Sequence, residues 1–244
     1  MTASDSGLGR AGAAADPLGL YPFLGSGAPG GLDAVTAEVR RSTAEKAEEI
    51  VGLRRLLLAE CGDALAACAA AMAERFAAGG RLFTFGNGGS STDAAGLATA
   101  FLRPVRGPSL PALCLTGDSA VLTALSNDVS FEVVFARQLA ALGRPGDIAL
   151  GLSTSGGSPN VASAVRAAAE GGMLTVAMAG YSGGRLGELD VLDHLFAVPS
   201  ASVHRIQEAQ TTLYHVLWEL VTRALEETSG PGAGTAAGTE RPRR

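Results

Sequence analysis

The sequence has little of what several classes of protein depend on. Its three cysteines, Cys61, Cys68 and Cys114, are too few and too far apart for a disulfide framework or a paired-cysteine metal site. The net charge is −5 and the basic residues are scattered, so the positive patch that direct nucleic-acid binding requires is missing. No run of about 18 apolar residues occurs, and residues 1–20 lack the basic and apolar segments of a leader peptide. We therefore expect a soluble, cytoplasmic protein with no membrane partner.

Both ends of the chain are rich in small residues and proline. Residues 1–33 and 229–244 show no sustained hydrophobic period, which is typical of flexible tails. Residues 17–25 are an apolar exception that could dock on a surface or remain a transient patch in a disordered arm. With 47% hydrophobic residues, the chain can bury one sizeable core, so we expect a single domain over residues 34–228.

The hydrophobic pattern predicts a doubly wound α/β fold. Apolar residues recur at helical spacing from Ala34 to Ala78, with an interruption at residues 61–63, which predicts two long N-terminal helices. Beyond them, strands apolar on both faces alternate with helices, which indicates a five-stranded parallel sheet covered on both sides, a three-layer, flavodoxin-like sandwich. The predicted strands are 81–86, 111–116, 147–152, 173–179 and 194–198, and the predicted helices lie near 92–102, 119–126, 130–142, 159–170 and 203–227.

Two predicted strand-to-helix corners are rich in glycine and hydroxyl groups. Residues 86–91 read GNGGSS, with Asp93 available as a helix cap, and residues 153–158 read STSGGS. Ser158 is placed to cap the following helix, and Pro159 suits its first position. Such corners offer free N–H groups, hydroxyl donors and a partial positive charge to an anion. Because the carboxyl ends of parallel strands meet at one edge of the sheet, both corners should face the same crevice, where open α/β sheets bind ligands.

The familiar nucleotide signatures do not fit these corners. The chain has no GxxxxGK[ST] motif, and GNGGSS lacks the third glycine of the dinucleotide fingerprint, so a phosphate monoester without a nucleotide is favoured. A hydrolase elbow with Ser155 as nucleophile and His215 as base is the alternative. In that motif Ser153 stands where glycine is required, and the first corner is left unexplained.

Four collinear stretches resemble the sugar isomerase (SIS) domain, most closely the bacterial phosphoheptose isomerases. They are GNGGSSTDAAGLA, LPALCLTGDSAVLTALSNDVSFEVVFARQLAALGRPGDIALGLSTSGGSPNV, AVRAAAEGGMLTVAMAG and HRIQEAQTTLYHVL. The resemblance covers about residues 45–226 and implies a SIS-type sheet and a homotetramer with phosphosugar sites at subunit contacts. Apolar residues in excess of what one small sheet covers also indicate subunit contacts; they are Leu53, Leu56, Leu57, Leu65 and Met72. The residues that the resemblance assigns to the phosphorylated sugar are Asn87, Gly88, Gly89, Ser90, Asp128, Ser153, Thr154, Ser155, Ser158 and Gln207.

The sequence departs from the family pattern at the residues that hold the metal. The family pattern after the first corner is D-A-x-H-x-x-x-E, whose His and Glu hold zinc, and here Gly96 and Ala100 stand in those places. Gln207 and His215, which match the other half of the site, are present. One imidazole and one amide are too few donors for zinc, so we expect no cofactor unless other residues rebuild the site.

Two classes of function remain open. One is an aldose–ketose isomerase acting on sedoheptulose 7-phosphate or a related sugar phosphate, with Glu208 and His215 as candidate catalytic residues and His204 nearby. Each of these residues also has a purely structural explanation. Glu208 can be a solvated helix residue, His204 a residue at the N-terminal end of a helix, and His215 a hydrogen-bonded histidine at a subunit interface. The other class is a non-catalytic regulator or assembly factor with a protein partner, similar to the SIS-type protein that binds the replication initiator DnaA.

Overall fold

A computed structural model describes residues 32–229, so the predicted tails lie almost entirely outside the described residues. The strands are β1 (Leu82–Gly86), β2 (Ala112–Cys114), β3 (Ile148–Ser153), β4 (Leu174–Gly180) and β5 (His194–Val198). The α-helices are α1 (Leu32–Ala77), α2 (Gly89–Leu102), α3 (Ser119–Asp128), α4 (Val134–Leu142), α5 (Pro159–Glu170) and α6 (Val203–Ser229). Short 3₁₀ turns occupy Phe131–Val133 and Gly184–Glu188.

The five strands form one parallel sheet in the order β2-β1-β3-β4-β5. Every residue of β1, β3 and β4 is buried, as the continuous apolar runs predicted. The predicted doubly wound, five-stranded α/β fold is confirmed, with each predicted strand present to within a few residues of its predicted ends.

The helices cover the two faces of the sheet. On one face, Met72 of α1, Leu97 of α2 and Leu217 of α6 pack in a core with Leu150 of β3. On the other face, α4 and α5 contribute the buried side chains of a second core, with part-buried leucines of α3 against it. Because β1 leads into a helix on the first face and β3 into a helix on the second, a crevice opens where these neighbouring strands end.

The N-terminal helical region is one helix rather than the predicted two. Gly62 lies inside α1, and the nearest atom to a Cβ built there is a Leu58 methyl at 3.9 Å. A glycine costs a helix only about 1 kcal/mol. Leu57 and Leu65, on either side of it, are both buried in the first core, and their burial outweighs that cost.

Helix α1 is also more apolar than expected from a sequence without a continuous run of about 18 apolar residues. By length and composition alone, Ala34–Ala77 would be long and apolar enough to cross a membrane, with a mean hydropathy of 1.6 in its 18-residue window. A third of that window is buried in the chain. Such a helix is weak evidence for a membrane span, since Cys68 and Met72 show that its apolar side chains serve a protein core.

The described residues fall into two compact units, the first ending at Ala47 and the second beginning at Glu48. In the first, Arg41 pairs with Glu38 and Glu45 along the surface of α1. The second unit contains the whole sheet and both serine corners.

Candidate functional site

The two predicted serine corners lie side by side at the carboxyl end of the sheet. Strand β1 ends at Gly86, which is in register with Leu152 at the end of β3. Residues 86–91 will be called the first corner and residues 153–158 the second corner. Their adjacency, predicted from the parallel order, makes one crevice of the two loops.

The first corner enters its helix earlier than predicted. Helix α2 begins at Gly89 with Gly88 as its N-cap, so Asp93 lies inside the helix and does not cap it. The loop closes on itself in a tight turn. The Ser90 N–H donates to the Asn87 carbonyl and the Ser91 N–H to the Gly88 carbonyl, both at 3.0 Å. Ser90 is buried, with 4% of its surface exposed.

The second corner is a cluster of three serine hydroxyls. Ser153 Oγ lies 2.9 Å from Ser158 Oγ and 3.5 Å from Ser155 Oγ, which in turn accepts from the Gly157 N–H at 3.1 Å. Pro159 begins α5, as predicted. Ser158 occupies the N-cap position, but its hydroxyl is engaged with Ser153 and does not cap the helix, which corrects that expectation. The start of α5 is therefore open to an anion.

The loop after β4 supports the second corner. Gly156 has a positive φ of 64°, and a side chain there would collide with the carbonyl of Gly183. The Leu186 N–H donates to the Gly156 carbonyl at 3.0 Å. Only glycine permits this close approach of two backbones, which fixes the shape of the corner.

A reciprocal pair of amides ties the two corners together. The Asn87 side-chain amide donates to Asn160 Oδ1 at 2.8 Å, and the Asn160 amide donates to Asn87 Oδ1 at 2.9 Å. Asn160 is buried, with 2% of its surface exposed. Sequence reasoning selected Asn87 but missed Asn160, whose only signal was its place in the first turn of α5.

Gln207 brings helix α6 to the first corner. Its amide packs directly against Gly89, where any side chain would collide with it, and it donates to Asp93 Oδ2 at 3.4 Å. The predicted substrate residues Asn87, Gly88, Gly89, Ser90 and Gln207 therefore share one place in the fold.

Asp93, Thr211 and Tyr214 continue this polar region along α2 and α6. Burial raises the pKa of Asp93, and hydrogen bonds from Gln207 and Thr211 partly oppose that shift. Burial also raises the pKa of Tyr214, and the neighbouring Asp93 carboxylate raises it further, while a hydrogen bond with Thr211 acts the other way. The phenol stays protonated at neutral pH and can donate. Sequence reasoning missed Tyr214 and Thr211.

The remaining predicted residues on α6 are His204, Glu208 and His215. His215 is exposed, with Nδ1 2.9 Å from the Thr211 carbonyl, and His204 is exposed near the start of α6. Glu208 is exposed and pairs with Arg205, which also reaches Glu49. His215 and Glu208 pair with groups of α6, and no hydrogen bond joins either of them to a serine of the two corners.

Asp128 and Thr154 complete the predicted set. Asp128 is the last residue of α3, and its carboxylate accepts from the Asn127 amide at 2.8 Å. Thr154 lies in the second corner, and its carbonyl packs so tightly on Gly180 that no side chain fits there. Asp128 is exposed.

The same fold recurs in known proteins. The SIS domain family matches residues 46–180. The chain belongs to the SIS domain family. It is 44% identical over 185 residues to the phosphoheptose isomerase of Roseiflexus sp. (strain RS-1), an alignment that covers 75% of this chain and 93% of the relative. Its place within the phosphoheptose isomerase group, which the motifs predicted, is confirmed.

Solved phosphoheptose isomerase structures agree with this SIS domain along most of their length. The Neisseria gonorrhoeae structure has a TM-score of 0.69 and 34% identity, covering 75% of this chain and 98% of the other. The Francisella tularensis structure has a TM-score of 0.71 and 32% identity, covering 76% and 98%.

The zinc that the family resemblance implies does not fit the side chains of this SIS domain. Gly96 and Ala100 offer no donor, and a Cβ built on Gly96 would lie 3.2 Å from the Tyr214 hydroxyl oxygen. The groups nearby are one carboxylate, one amide, two hydroxyls and the single imidazole of His215, whose ring centroid lies 4.7 Å from that of Tyr214. They include no thiolate and no second imidazole, the ligands that zinc prefers. Within residues 32–229, no three His, Cys, Asp or Glu side chains are grouped to hold a metal.

Proposed function

We propose that this SIS domain binds a phosphorylated sugar, with the phosphate at the two serine corners and the sugar extending toward α6. The observation that carries the proposal is the joining of two hydroxyl-rich corners on adjacent strands by the Asn87–Asn160 amide pair. Two such corners surround one anion with hydroxyls and the start of α5. The phosphoheptose isomerase relatives support a sugar as the rest of the ligand.

The reaction proposed for the bound sugar is the isomerisation of sedoheptulose 7-phosphate or a related sugar phosphate. A proton leaves one of C1 and C2 and is returned at the other, while a hydroxyl proton moves between their oxygens, so one group must take a proton and another must give one. Glu208 and His215 are the candidate carriers, and both are exposed on α6.

Binding without turnover is the second candidate function. Gly96 and Ala100 remove two side chains that can take or give protons, which favours this reading. A protein partner would then use the phosphosugar as a signal. Incubation with sedoheptulose 7-phosphate, followed by separation of aldose and ketose, distinguishes the two: product formation supports the isomerase, and its absence with retained binding supports the second candidate.

Thermal unfolding with and without ligand tests the proposed phosphosugar site. A sugar phosphate at about 100 times its Kd should stabilise the native state by about 2.7 kcal/mol, a rise in Tm of about 5 to 10 °C. Ser155→Ala and Ser90→Ala should each lose at least half of that rise, because each removes a hydroxyl from a corner.

Ser126→Ala is the matched control, since the Ser126 hydroxyl donates to the Leu122 carbonyl within α3, outside both corners. Its Tm rise should equal that of the wild type. A wild type whose Tm is unchanged by every sugar 6-phosphate and 7-phosphate would contradict the proposal.

We also propose a homotetramer that works in the cytoplasm, without membrane or nucleic-acid contacts. Of the five apolar residues predicted to be in excess, four are buried in the chain, because α1 packs on the sheet and not only on other subunits. Leu56 is exposed, and so are Val51 and Leu58, which the sequence did not single out. We assign subunit contacts to these three among the exposed apolar side chains of the described residues.

A further inference from the structure

The contact between α2 and α6 is built from complementary residues. A Cβ on Gly96 would lie only 3.2 Å from the Tyr214 hydroxyl oxygen, which is tighter than an ordinary van der Waals contact, so a side chain at position 96 would press against the phenol. Tyr214 is 6% exposed and packs in the first core, which prevents the ring from moving aside without cost. The glycine at 96 and the tyrosine at 214 therefore depend on each other.

The polar groups beside this contact begin at the phosphate crevice and lead away from it. Gln207 touches both Gly89 in the first corner and Asp93. Asp93 is four residues, or about 6 Å, further along α2. Thr211 hydrogen-bonds both Asp93 and Tyr214. A ligand whose phosphate lies at the corners would place its carbon chain along this row.

We propose that Asp93, Gln207, Thr211 and Tyr214 form a metal-free subsite that binds the hydroxyls at the end of the sugar remote from the phosphate, with Tyr214 as the specificity-determining residue. The inference rests on the proposed function. It replaces the family's metal with side chains at the same contact of α2 and α6.

The chemistry of the four groups suits a sugar. Each sugar hydroxyl donates one hydrogen bond and accepts others, and the subsite offers a carboxylate acceptor, an amide, and two hydroxyls that do both. The half-buried setting of Asp93 and the burial of Tyr214 reduce competition from water, which strengthens each bond. Inorganic phosphate has no carbon chain and does not reach this row.

Titration calorimetry of Tyr214→Phe with sedoheptulose 7-phosphate and with inorganic phosphate tests the subsite. The sugar phosphate should bind about tenfold more weakly than to the wild type, the loss of one hydrogen bond to a buried partner, whereas the Kd of inorganic phosphate should be unchanged. Tyr181→Phe is the matched control, because it also removes one tyrosine hydroxyl, which donates to the Ala201 carbonyl outside the subsite. It should leave both Kd values unchanged.

The outcomes separate the subsite from the proposed function. A wild type that binds no sugar phosphate overturns both. A wild type that binds, with Tyr214→Phe binding equally well, overturns the subsite alone.

Zinc content gives a readout that is independent of sugar binding. The double variant Gly96→His/Ala100→Glu restores the family donors but leaves Tyr214 in their space, so it should purify with little zinc. Adding Tyr214→Ala should raise the zinc content toward one per chain. Stoichiometric zinc in the double variant would show that Tyr214 does not exclude the metal, and its absence from the triple variant would show that removing Tyr214 does not reopen the site.

Discussion

At the scale of single residues, Asp147 is the most heavily bonded carboxylate at the amino end of the sheet. It is 3% exposed and accepts from the Arg81 backbone and guanidinium and from the Arg144 backbone. Burial acts to raise its pKa, but the hydrogen bonds from Arg81 and Arg144 outweigh burial and hold the pKa below the usual value. The charged carboxylate therefore stabilises the fold.

Asp147→Asn should lower the free energy of unfolding at pH 7 by about 2 kcal/mol, because it removes the charge that Arg81 and Arg144 contact. A group with a lowered folded-state pKa contributes stability above its unfolded pKa, about 3.9, and loses it as pH falls through the folded value. In urea unfolding, the difference in the free energy of unfolding between wild type and variant should thus become smaller below about pH 4. Asp63→Asn, on the exposed face of α1, should change stability by less than about 0.5 kcal/mol at any of these pH values.

Residue patterns predicted one part of the site and missed another. Ser153, Ser155 and Ser158 lie within six positions of one another, so the local sequence was enough to place them together. The Asn87–Asn160 pair joins residues 73 positions apart, and Gln207 reaches Asp93 across 114. Contacts at such separations depend on how helices pack, which local periodicity does not contain.

At the scale of elements, the glycines of α1 and of the turn after it should respond to alanine in opposite ways. Gly62→Ala should raise the free energy of unfolding by about 0.5–1 kcal/mol, because alanine favours the helix and the added methyl group meets no atom nearer than 3.9 Å. Gly79→Ala, at a φ of 86° just beyond α1, should lower it by 1 kcal/mol or more. Thermal and urea unfolding measure both; a stability loss in Gly62→Ala would mean that the continuous helix is wrong.

The strands and helix α1 together show how much of the fold could be predicted from the sequence. All five strands and the helices after them were evident, because strands buried on both faces are continuous apolar runs and glycine-rich corners mark their ends. The break predicted at residues 61–63 was wrong, since a local dip in helix propensity is small beside the burial of Leu57 and Leu65.

At the scale of the whole molecule, the proposed subunit contacts on α1 predict the effect of a surface charge. Val51 and Leu58 are 42% and 73% exposed and lie two helical turns apart on one stripe of α1. Leu58→Asp should convert the proposed tetramer to smaller species in light scattering while the far-UV spectrum stays unchanged, because Leu58 is outside the chain's own cores.

Val105→Asp, at a residue that is 96% exposed and outside α1, is the control and should leave the mass unchanged. A wild type with the mass of a single chain at micromolar concentration would contradict the assembly.

The amide pair between the corners constrains how this sequence can change over generations. Replacing either Asn87 or Asn160 leaves the donor and acceptor of the other without their partners, and Asn160 is 2% exposed, so the first of any two changes costs about 1–3 kcal/mol whichever comes first. Evolution toward a different pair of residues at positions 87 and 160 must therefore pass through a less stable protein. The two serine corners, far apart in the chain, are therefore inherited as one unit, and we expect substitutions to accumulate more easily along α6 than in the crevice between the corners.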